Sequence, residues 1–479
     1  MNQPNRLKEK NTAPVSLSHS IILLILIIAM IAYFAFKGIN LSIPLFLTWI
    51  IIFIYCYATG RDWESLQNAA FQSVHGALGS VFILLAVGAL IGSWIQCGTI
   101  PTVITYGLQM ISPSAFLPCT MLLCSILALA TGTSYGSVAT AGIAMMGVGL
   151  TMGFPAGMIA GAVICGALFG DKMSPFSDTT NIAPAMAGGD LFKHIRMMMY
   201  NTVPAWIISM VIFWLIGGRY ASDNFDLSTI NSFTEGLAQY FNISIITLLP
   251  MVLVIVLLLL KWPAVPVILL GAVSGGIVSL IVQGNDLLSI IKCMHNGFSI
   301  ESGIELVDKL LNRGGVNSMQ NVVWIILTAV GMGGMLDKLG VLQNFLKLIV
   351  GLTKKTWSLV AVTMLISYIV SAVGCTQTMA HVVTGKLLAP IYRERGLAPE
   401  LLSRTMEDSG TLGGAFFPWH TNAVYFCGVL AVSWGEYIPF LFLSFITPII
   451  SIIYACIGFK IPLIDPVTGE PLSQCINEK

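Results

Sequence analysis

Three charged residues stand close together in the segment FGDKMSPFSDTTNIAP, which runs from Phe169 to Pro184. The chain from Ser65 to Gly170 contains no Asp, Glu, Lys or Arg, and then Asp171, Lys172 and Asp178 follow within eight residues. The same segment carries hydroxyls, an amide and two prolines. Carboxylate, hydroxyl and amide oxygens are the ligands that hard cations prefer. This segment is therefore a candidate cation site.

The composition indicates that this site belongs to a polytopic membrane protein. Of 479 residues, 56% are hydrophobic and 9% are charged, whereas a soluble protein carries about 25% charged residues. Apolar stretches such as Ile21–Phe36, Leu41–Ala58, Thr202–Ile216 and Ile245–Leu260 form the cores of segments that span a bilayer. The net charge of +1 gives no reason to expect a nucleic acid partner. The ten cysteines are scattered without metal-ligand spacing, which is typical of small buried hydrophobes.

Four segments interrupt this apolar background with Gly, Pro, hydroxyls and amides: 131–137, 171–184, 374–378 and 407–422. In hydrocarbon, non-helical backbone survives only where protein buries it or where it lines a cavity. We therefore expect the four segments to meet at a binding site near the membrane midplane. The alternative for any single hydroxyl is a hydrogen bond to its own helix. The candidate binding side chains are Thr133, Ser134, Ser177, Asp178, Thr179, Thr180, Asn181, Thr376, Gln377, Thr421 and Asn422.

Carboxylates within these segments are the candidate proton carriers. A charge at the bilayer centre costs about 2.5–3.5 kcal/mol on insertion scales, so a carboxylate kept there indicates function. Burial favours the protonated carboxyl and a nearby cation favours the ionised one, so one group can exchange Na⁺ for H⁺. Asp178 is the first choice for this exchange. The full set of proton-coupling candidates is Asp171, Asp178, Glu407, Asp408 and His420.

Structural roles remain open for several of these residues. Asp171 and Lys172 are also compatible with a local ion pair, and Glu407 with an ion pair to Arg404, three residues back on a helix. His381 is equally compatible with a histidine on a helix face that bonds to backbone.

The chain matches itself at a shift of 241 to 244 residues. Gly132 in ATGTS falls on Gly374 in AVGCT, and GALFG (166–170) falls on GTLGG (410–414). Thr180-Asn181 falls on Thr421-Asn422. The shift drifts by only three residues over nearly 100 positions, which coincidence between apolar helices does not explain. The sequence therefore predicts two structural repeats.

The distribution of Lys and Arg predicts that the repeats are inverted. The apolar segments Ala115–Thr151 and Trp357–Pro390 each contain a polar interruption, with Gly132 and Gly374 at the two tips. We interpret them as re-entrant hairpins that enter from opposite sides. Five spans and one hairpin in each half then give inverted halves, as in many secondary transporters. The alternative topology makes each hairpin two full spans.

The expected fold is an all-α polytopic membrane protein with about ten transmembrane helices and two re-entrant hairpins in two inverted-topology repeats. The expected divisions are a cytoplasmic N-terminal tail (1–19), a first repeat (20–217), an extracytoplasmic linker (218–242), a second repeat (243–458) and a cytoplasmic C-terminal tail (459–479).

Two long motifs resemble the NhaC-type Na⁺/H⁺ antiporter family. They are GDKMSPFSDTTNIAPAMAGGDLFKHIRMMMYNTVP (170–204) and GTLGGAFFPWHTNA (410–423), and the resemblance extends from about residue 10 to about residue 460. It implies a secondary antiporter of the bacterial inner membrane that exchanges Na⁺ for H⁺ by alternating access. Relatives that exchange malate for lactate and Na⁺ imply the alternative, a Na⁺-coupled exchanger of small organic acids or amino acids. The cation-binding role carries over onto Asp178, Thr179, Thr180 and Asn181, with Na⁺ at Asp178, Thr179 and Asn181.

An enzyme is not expected. GTSYG (132–136) spells GxSxG, but that motif needs a strand-to-helix turn, and no HExxH or P-loop pattern occurs. No cofactor is expected besides the transported Na⁺ and H⁺. The expected partners are the lipid bilayer and these two ions, with a small carboxylate as the alternative substrate and a homodimer as the alternative to a monomer.

Overall fold

The computed structural model describes residues 15–37, 39–224, 227–341, 355–468, 470 and 472. Most of the predicted N-terminal tail, residues 225–226 of the predicted linker and the end of the predicted C-terminal tail lie outside these residues. The described chain is almost entirely helical, and an isolated antiparallel bridge joins Leu397 to Leu463. The predicted all-α class is confirmed.

Twenty-two α-helices are described, and they are numbered here in chain order. They are α1 Leu17–Phe36, α2 Ser42–Ala58, α3 Trp63–Gln96, α4 Thr99–Met110, α5 Phe116–Thr131, α6 Ser134–Ser137, α7 Ile143–Thr151, α8 Ala156–Met173, α9 Asp178–Ala187, α10 Leu191–Asn224, α11 Leu227–Tyr240, α12 Leu249–Leu259, α13 Ala264–Val278, α14 Leu287–Asn296, α15 Glu305–Leu311, α16 Gln320–Lys338, α17 Thr356–Gly374, α18 Gln377–Glu394, α19 Pro399–Met406, α20 Thr421–Leu430, α21 Trp434–Tyr437 and α22 Phe442–Ile457.

The described residues contain seven helices that are long and apolar enough to cross a membrane, or nine if each of two bent pairs is one span. The seven include α3, α5, α8, α10, α13, α16 and α17. In the bent pairs, α11 meets α12 at 90° and α20 meets α21 at 93°. Three further apolar helical stretches are too short to count as spans by this measure: Leu17–Ile31 within α1, Ser42–Ala58 (α2) and Phe442–Ile457 (α22). The polytopic character predicted from composition is therefore confirmed.

Helix α3 is longer than the sequence predicts. The expected span near 81–96 is the second half of a 34-residue helix that begins at Trp63. At 1.5 Å per residue such a helix is about 51 Å long, whereas the hydrocarbon core is about 30 Å thick. Helices α13 and α16 both pack along α3. This long helix thus contacts elements from the other half of the chain.

Three π-helical segments, Val138–Gly142, Ser279–Gln283 and Glu407–Thr411, interrupt the regular helical pattern. The first joins α6 to α7 in one continuous helical stretch, 134–151. The third continues α19. Single π turns inside helices occur frequently at functional sites, and Glu407–Thr411 contains two of the predicted proton-coupling residues.

Candidate functional site

Two helix breaks with the same local construction bring polar groups together. Gly132 ends α5 with φ of +72°, and Cys375 follows α17 with φ of +59°. Each is followed by a threonine that starts the next helix. The Thr133 hydroxyl accepts from the Gly136 amide at 3.4 Å, and the Thr376 hydroxyl accepts from the Met379 amide at 3.3 Å. A threonine cap satisfies an amide that the helix end leaves free.

The breaks in front of α9 and α20 provide a second matched pair. Pro175 follows the end of α8, and Ser177 is the N-cap residue of α9. His420 is the N-cap residue of α20, and its Nδ1 accepts from the backbone N–H of Asn422 at 3.1 Å. This hydrogen bond gives His420, one of the predicted proton-coupling residues, a structural role.

The four breaks meet around one cavity of about 330 Å³. The cavity includes most of the predicted binding side chains, together with one hairpin tip, Gly132. The predicted residues that line it are Gly132, Thr133, Ser134, Asp171, Ser177, Asp178, Thr179, Thr376, Gln377, Thr421 and Asn422. The second tip, Gly374, is buried beside the cavity lining and does not belong to it.

Two carboxylates enter the cavity from different directions. Asp171 is 7% exposed and lies in the last turn of α8, where its carboxylate faces Ser134 and Ser177. Asp178 is exposed and opens α9. The two carboxylates are close enough to interact electrostatically. The cavity thus combines a buried and an accessible negative charge with hydroxyl oxygens.

Two predicted ligands are not brought to the cavity. The Thr180 hydroxyl donates to the carbonyl oxygen of Lys172 at 2.9 Å. The Asn181 amide is exposed and donates to the carbonyls of Pro175 and Ser177 at 2.9 and 2.7 Å. Both side chains therefore hold the unwound segment in its shape.

Four helices begin at this cavity. Ser134, Asp178, Gln377 and Thr421 are the first residues of the stretch 134–151, of α9, of α18 and of α20, and all four line the cavity. The N-terminus of a helix carries a partial positive charge and free amide groups. The cavity thus offers carboxylates and hydroxyls to a cation and helix N-termini to an anion.

An aromatic contact joins the two halves at the cavity wall. The rings of Tyr135 and Tyr425 stack with centroids 3.9 Å apart. The Tyr135 hydroxyl donates to Asn422 Oδ1 at 3.0 Å, and the Tyr425 hydroxyl donates to the Tyr135 carbonyl at 2.8 Å. The side-chain nitrogen of Asn422, Nδ2, has no hydrogen-bond partner and is buried. Its donor capacity is free for a bound species.

Sequence reasoning missed part of this wall. Tyr135 and Thr378 line the cavity within segments that were already singled out, and α3 adds Gly76, Gly79, Ser80 and Ile83. The α3 residues recur at the i, i+3, i+4, i+7 spacing that forms one helix face. In the sequence, the small residues at this spacing are the pattern from which the contribution of α3 could have been predicted.

A second polar cluster lies behind the cavity and is fully buried. The Lys172 ammonium donates to Asp408 Oδ1, and the Asn201 amide and the Ser451 hydroxyl both donate to Asp408 Oδ2. Arg404 Nε is 4.0 Å from Asp408 Oδ2. Lys172 thus pairs with Asp408 in the other half of the chain and not with Asp171, the structural alternative that the sequence left open.

Glu407 and His381 adjoin this cluster. His381 Nε2 lies 3.7 Å from Glu407 Oε1 and 3.0 Å from the Thr411 hydroxyl. Glu407 therefore has His381 as its neighbouring base. The alternative that the sequence left open, an ion pair of Glu407 with Arg404, is not the contact found, because Arg404 lies within 4.0 Å of Asp408. Among the described residues, no group of three or more His, Cys, Asp or Glu side chains could hold a metal ion.

The family model and the relatives that match this chain are all antiporters by name. A model of the Na⁺/H⁺ antiporter family matches residues 166–459. The chain is 38% identical to the malate-2H⁺/Na⁺-lactate antiporter of Bacillus subtilis, over 91% of this chain and 94% of that relative. It is 37% identical to the Na⁺/H⁺ antiporter NhaC of Alkalihalophilus pseudofirmus, over 88% and 90% of the two chains. Identity to the Na⁺/H⁺ antiporter NhaC of Bacillus subtilis is 33%, over 94% and 99%.

Proposed function

Because the chain belongs to the Na⁺/H⁺ antiporter family, we propose that it exchanges Na⁺ for H⁺ across the membrane as a secondary antiporter. The observation that carries this proposal is the cavity in which Asp171 and Asp178 stand among hydroxyl oxygens. Such an oxygen set suits a hard cation. Two relatives of similar length are Na⁺/H⁺ antiporters by name, which supports the same substrates here.

Na⁺ would bind between the two carboxylates. Asp178 is the accessible group that meets the ion first, and Asp171 is the buried group that holds it. Ser134 and Thr179 line the same space and supply hydroxyl oxygens. Asn181 is left out of this ligand set because its amide already bonds to the backbone.

The architecture we propose has ten spans and two hairpins in inverted halves. The first half contributes α1, α2, α3, α8 and α10 as spans and α5 with the stretch 134–151 as its hairpin. The second contributes α12, α13, α16, α20 and α22, with α17 and α18 as its hairpin. Helices α17 and α18 pack against each other, which supports a hairpin. A site at the meeting point of two halves is what alternating access requires.

The proposed location is the bacterial cytoplasmic membrane, with both termini in the cytoplasm. The named relatives are bacterial proteins, and the basic residues of the N-terminal tail favour the cytoplasmic side under the positive-inside rule.

A second candidate function is the Na⁺-coupled exchange of a small organic anion. The four helix N-termini and the free amide of Asn422 favour it, since half-helix N-termini bind anionic substrates in other transporters. A cavity of about 330 Å³ also exceeds the room that one Na⁺ needs. The malate-2H⁺/Na⁺-lactate antiporter among the relatives supports the same candidate.

A reconstituted assay separates the two functions. The purified full chain is placed in proteoliposomes that carry a pH gradient and a pH-sensitive dye. Na⁺ alone should dissipate the gradient, and K⁺ at the same concentration should not. If the gradient collapses only when malate, lactate or an amino acid accompanies Na⁺, the second candidate is correct. If no combination moves protons, both are wrong.

A further inference from the structure

Glu407 is a buried carboxyl that the ion cavity does not use. It is 0% exposed, neither of its oxygens makes a hydrogen bond of ordinary geometry although the Thr411 hydroxyl lies beside it, and it does not line the cavity. An ionised carboxylate without donors is costly to bury. A carboxyl in this position is best accommodated with a proton bound.

The surroundings of Glu407 also accommodate the ionised form. The buried cluster holds two cations, Lys172 and Arg404, and one fully hydrogen-bonded anion, Asp408. With Glu407 protonated the cluster carries an excess positive charge, and with Glu407 ionised it is balanced. The charged groups that act on Glu407 are Asp171, Lys172 and Asp408, and Lys172 and His194 act on His381. Arg404 lies against Asp408. Glu407 is therefore the group in this cluster that can exist in both states.

A short polar path links Glu407 to the cavity. His381 Nε2 lies 3.7 Å from Glu407 Oε1 and 3.0 Å from the Thr411 hydroxyl. Thr411 in turn accepts, through its carbonyl oxygen, a hydrogen bond of 3.0 Å from Gln377, which lines the cavity. His381 Nδ1 has no partner. The imidazole thus stands between the carboxyl and the cavity wall with one nitrogen free.

The other predicted proton carriers either have hydrogen-bond partners of their own or line the Na⁺ cavity. Asp408 accepts from Lys172, Asn201 and Ser451, so its ionised form is stabilised on both oxygens. His420 caps α20 through Nδ1. Asp171 and Asp178 belong to the cavity.

We propose that Glu407 binds the transported proton and that His381 positions it, at a site separate from the Na⁺ cavity. This inference rests on the proposed Na⁺/H⁺ exchange. Asp171 lies in the cavity and also acts electrostatically on Glu407. A Na⁺ ion beside Asp171 cancels negative charge there, which favours the ionised form of Glu407 and releases its proton. By linkage, a proton on Glu407 weakens Na⁺ binding to the same extent, so the two ions need not compete for one carboxylate.

The first test replaces the carboxyl with a neutral isostere. Glu407→Gln should lose Na⁺-driven proton movement in proteoliposomes, and its exchange of radiolabelled Na⁺ for unlabelled Na⁺ should no longer change with pH. Glu64→Gln is the matched control, because Glu64 is exposed at the start of α3. A Glu407→Gln protein that moves protons with the wild-type pH profile overturns the proposal.

The second test needs no transport. Infrared difference spectra of the purified wild-type chain, recorded across a pH titration, should contain a protonated-carboxyl band that disappears in Glu407→Gln and shifts its midpoint in His381→Gln. If Glu407→Gln does not accumulate in membranes, Glu407→Asp keeps a carboxyl and should shift the band. A band unaffected by either substitution overturns the proposal. A titrating Glu407 band in a chain that fails to exchange Na⁺ for H⁺ instead overturns the proposed function and leaves Glu407 as a proton site.

Discussion

Lys172 and Asp408 form a buried ion pair between residues 236 positions apart. Lys172 lies in the last turn of α8 in the first half of the chain, and Asp408 belongs to the π segment of the second half. Both side chains are 0% exposed. Removing one partner of a buried pair leaves an uncompensated charge, which costs about 3–5 kcal/mol.

Lys172→Met should destabilise the protein by at most about 3–5 kcal/mol, because Asp408 keeps Arg404 at 4.0 Å and the Asn201 and Ser451 donors. Thermal unfolding in detergent measures this loss. Lys193→Met is the control, because Lys193 is exposed and should change stability little. In a double-mutant cycle with Asp408→Asn, the two losses should add to more than the loss of the double variant, since the residues are in contact. Additive losses would show that the pair is not coupled.

Asp178→Asn should abolish the Na⁺-dependent dissipation of a pH gradient in proteoliposomes. The amide keeps the size of the side chain but removes the negative charge that would meet Na⁺. Asp190→Asn is the control, since Asp190 is exposed and its carboxylate accepts only from the Lys193 backbone N–H among the hydrogen bonds described. Unchanged transport by Asp178→Asn would remove this residue from the site.

Gly132→Ala and Gly188→Ala form a matched pair of substitutions. Both glycines have positive φ, +72° and +80°, so alanine costs roughly 1–2 kcal/mol at either position. A Cβ at Gly132 would lie 2.7–2.9 Å from atoms of Phe176, whereas a Cβ at Gly188 meets nothing within 4 Å. Gly132→Ala should lower both stability and transport rate, and Gly188→Ala only stability. Equal transport by the two variants would contradict a functional role for the tip.

Tyr135→Phe tests the hydrogen bond that joins the halves at the cavity wall. It removes the donor to Asn422 Oδ1 and keeps the ring stacked on Tyr425. A hydrogen bond contributes about 0.5–1.5 kcal/mol, and only the part that differs between the empty and the Na⁺-bound protein changes binding, so the apparent affinity for Na⁺ should weaken by at most roughly twofold to tenfold. The dependence of proton movement on Na⁺ concentration measures it. Tyr240→Phe, which removes a hydrogen bond to the Ser302 carbonyl away from the cavity, should leave the affinity unchanged.

The positions of the helix breaks could be predicted from sequence because their causes are local. Gly132, Pro175 and the threonines that follow each break dictate backbone conformation within a few residues. The structure places these breaks around one cavity, and the self-match of the chain already indicated that they would correspond. Local chemistry therefore predicted most of the cavity lining.

The partner of Lys172 could not be predicted in this way. Its sequence neighbour Asp171 has the opposite charge, so a local pair was the simplest expectation. On a helix, however, consecutive residues point about 100° apart, and Asp171 and Lys172 accordingly enter different sites. Which charge from the other half meets Lys172 depends on how the helices pack, and this information is distributed over the whole chain. The contribution of α3 was missed for a related reason, because glycines offer space and no recognisable chemistry.

The adjacency of Asp171 and Lys172 has a mechanical consequence. One peptide bond joins a residue of the ion cavity to a residue of the buried ion pair between the halves. A rotation of the last turn of α8 that moves Asp171 toward an ion also moves the backbone that carries Lys172 and therefore bears on its ion pair with Asp408. The same turn of helix therefore carries one residue that meets the ion in the cavity and one residue that holds the two halves of the protein together.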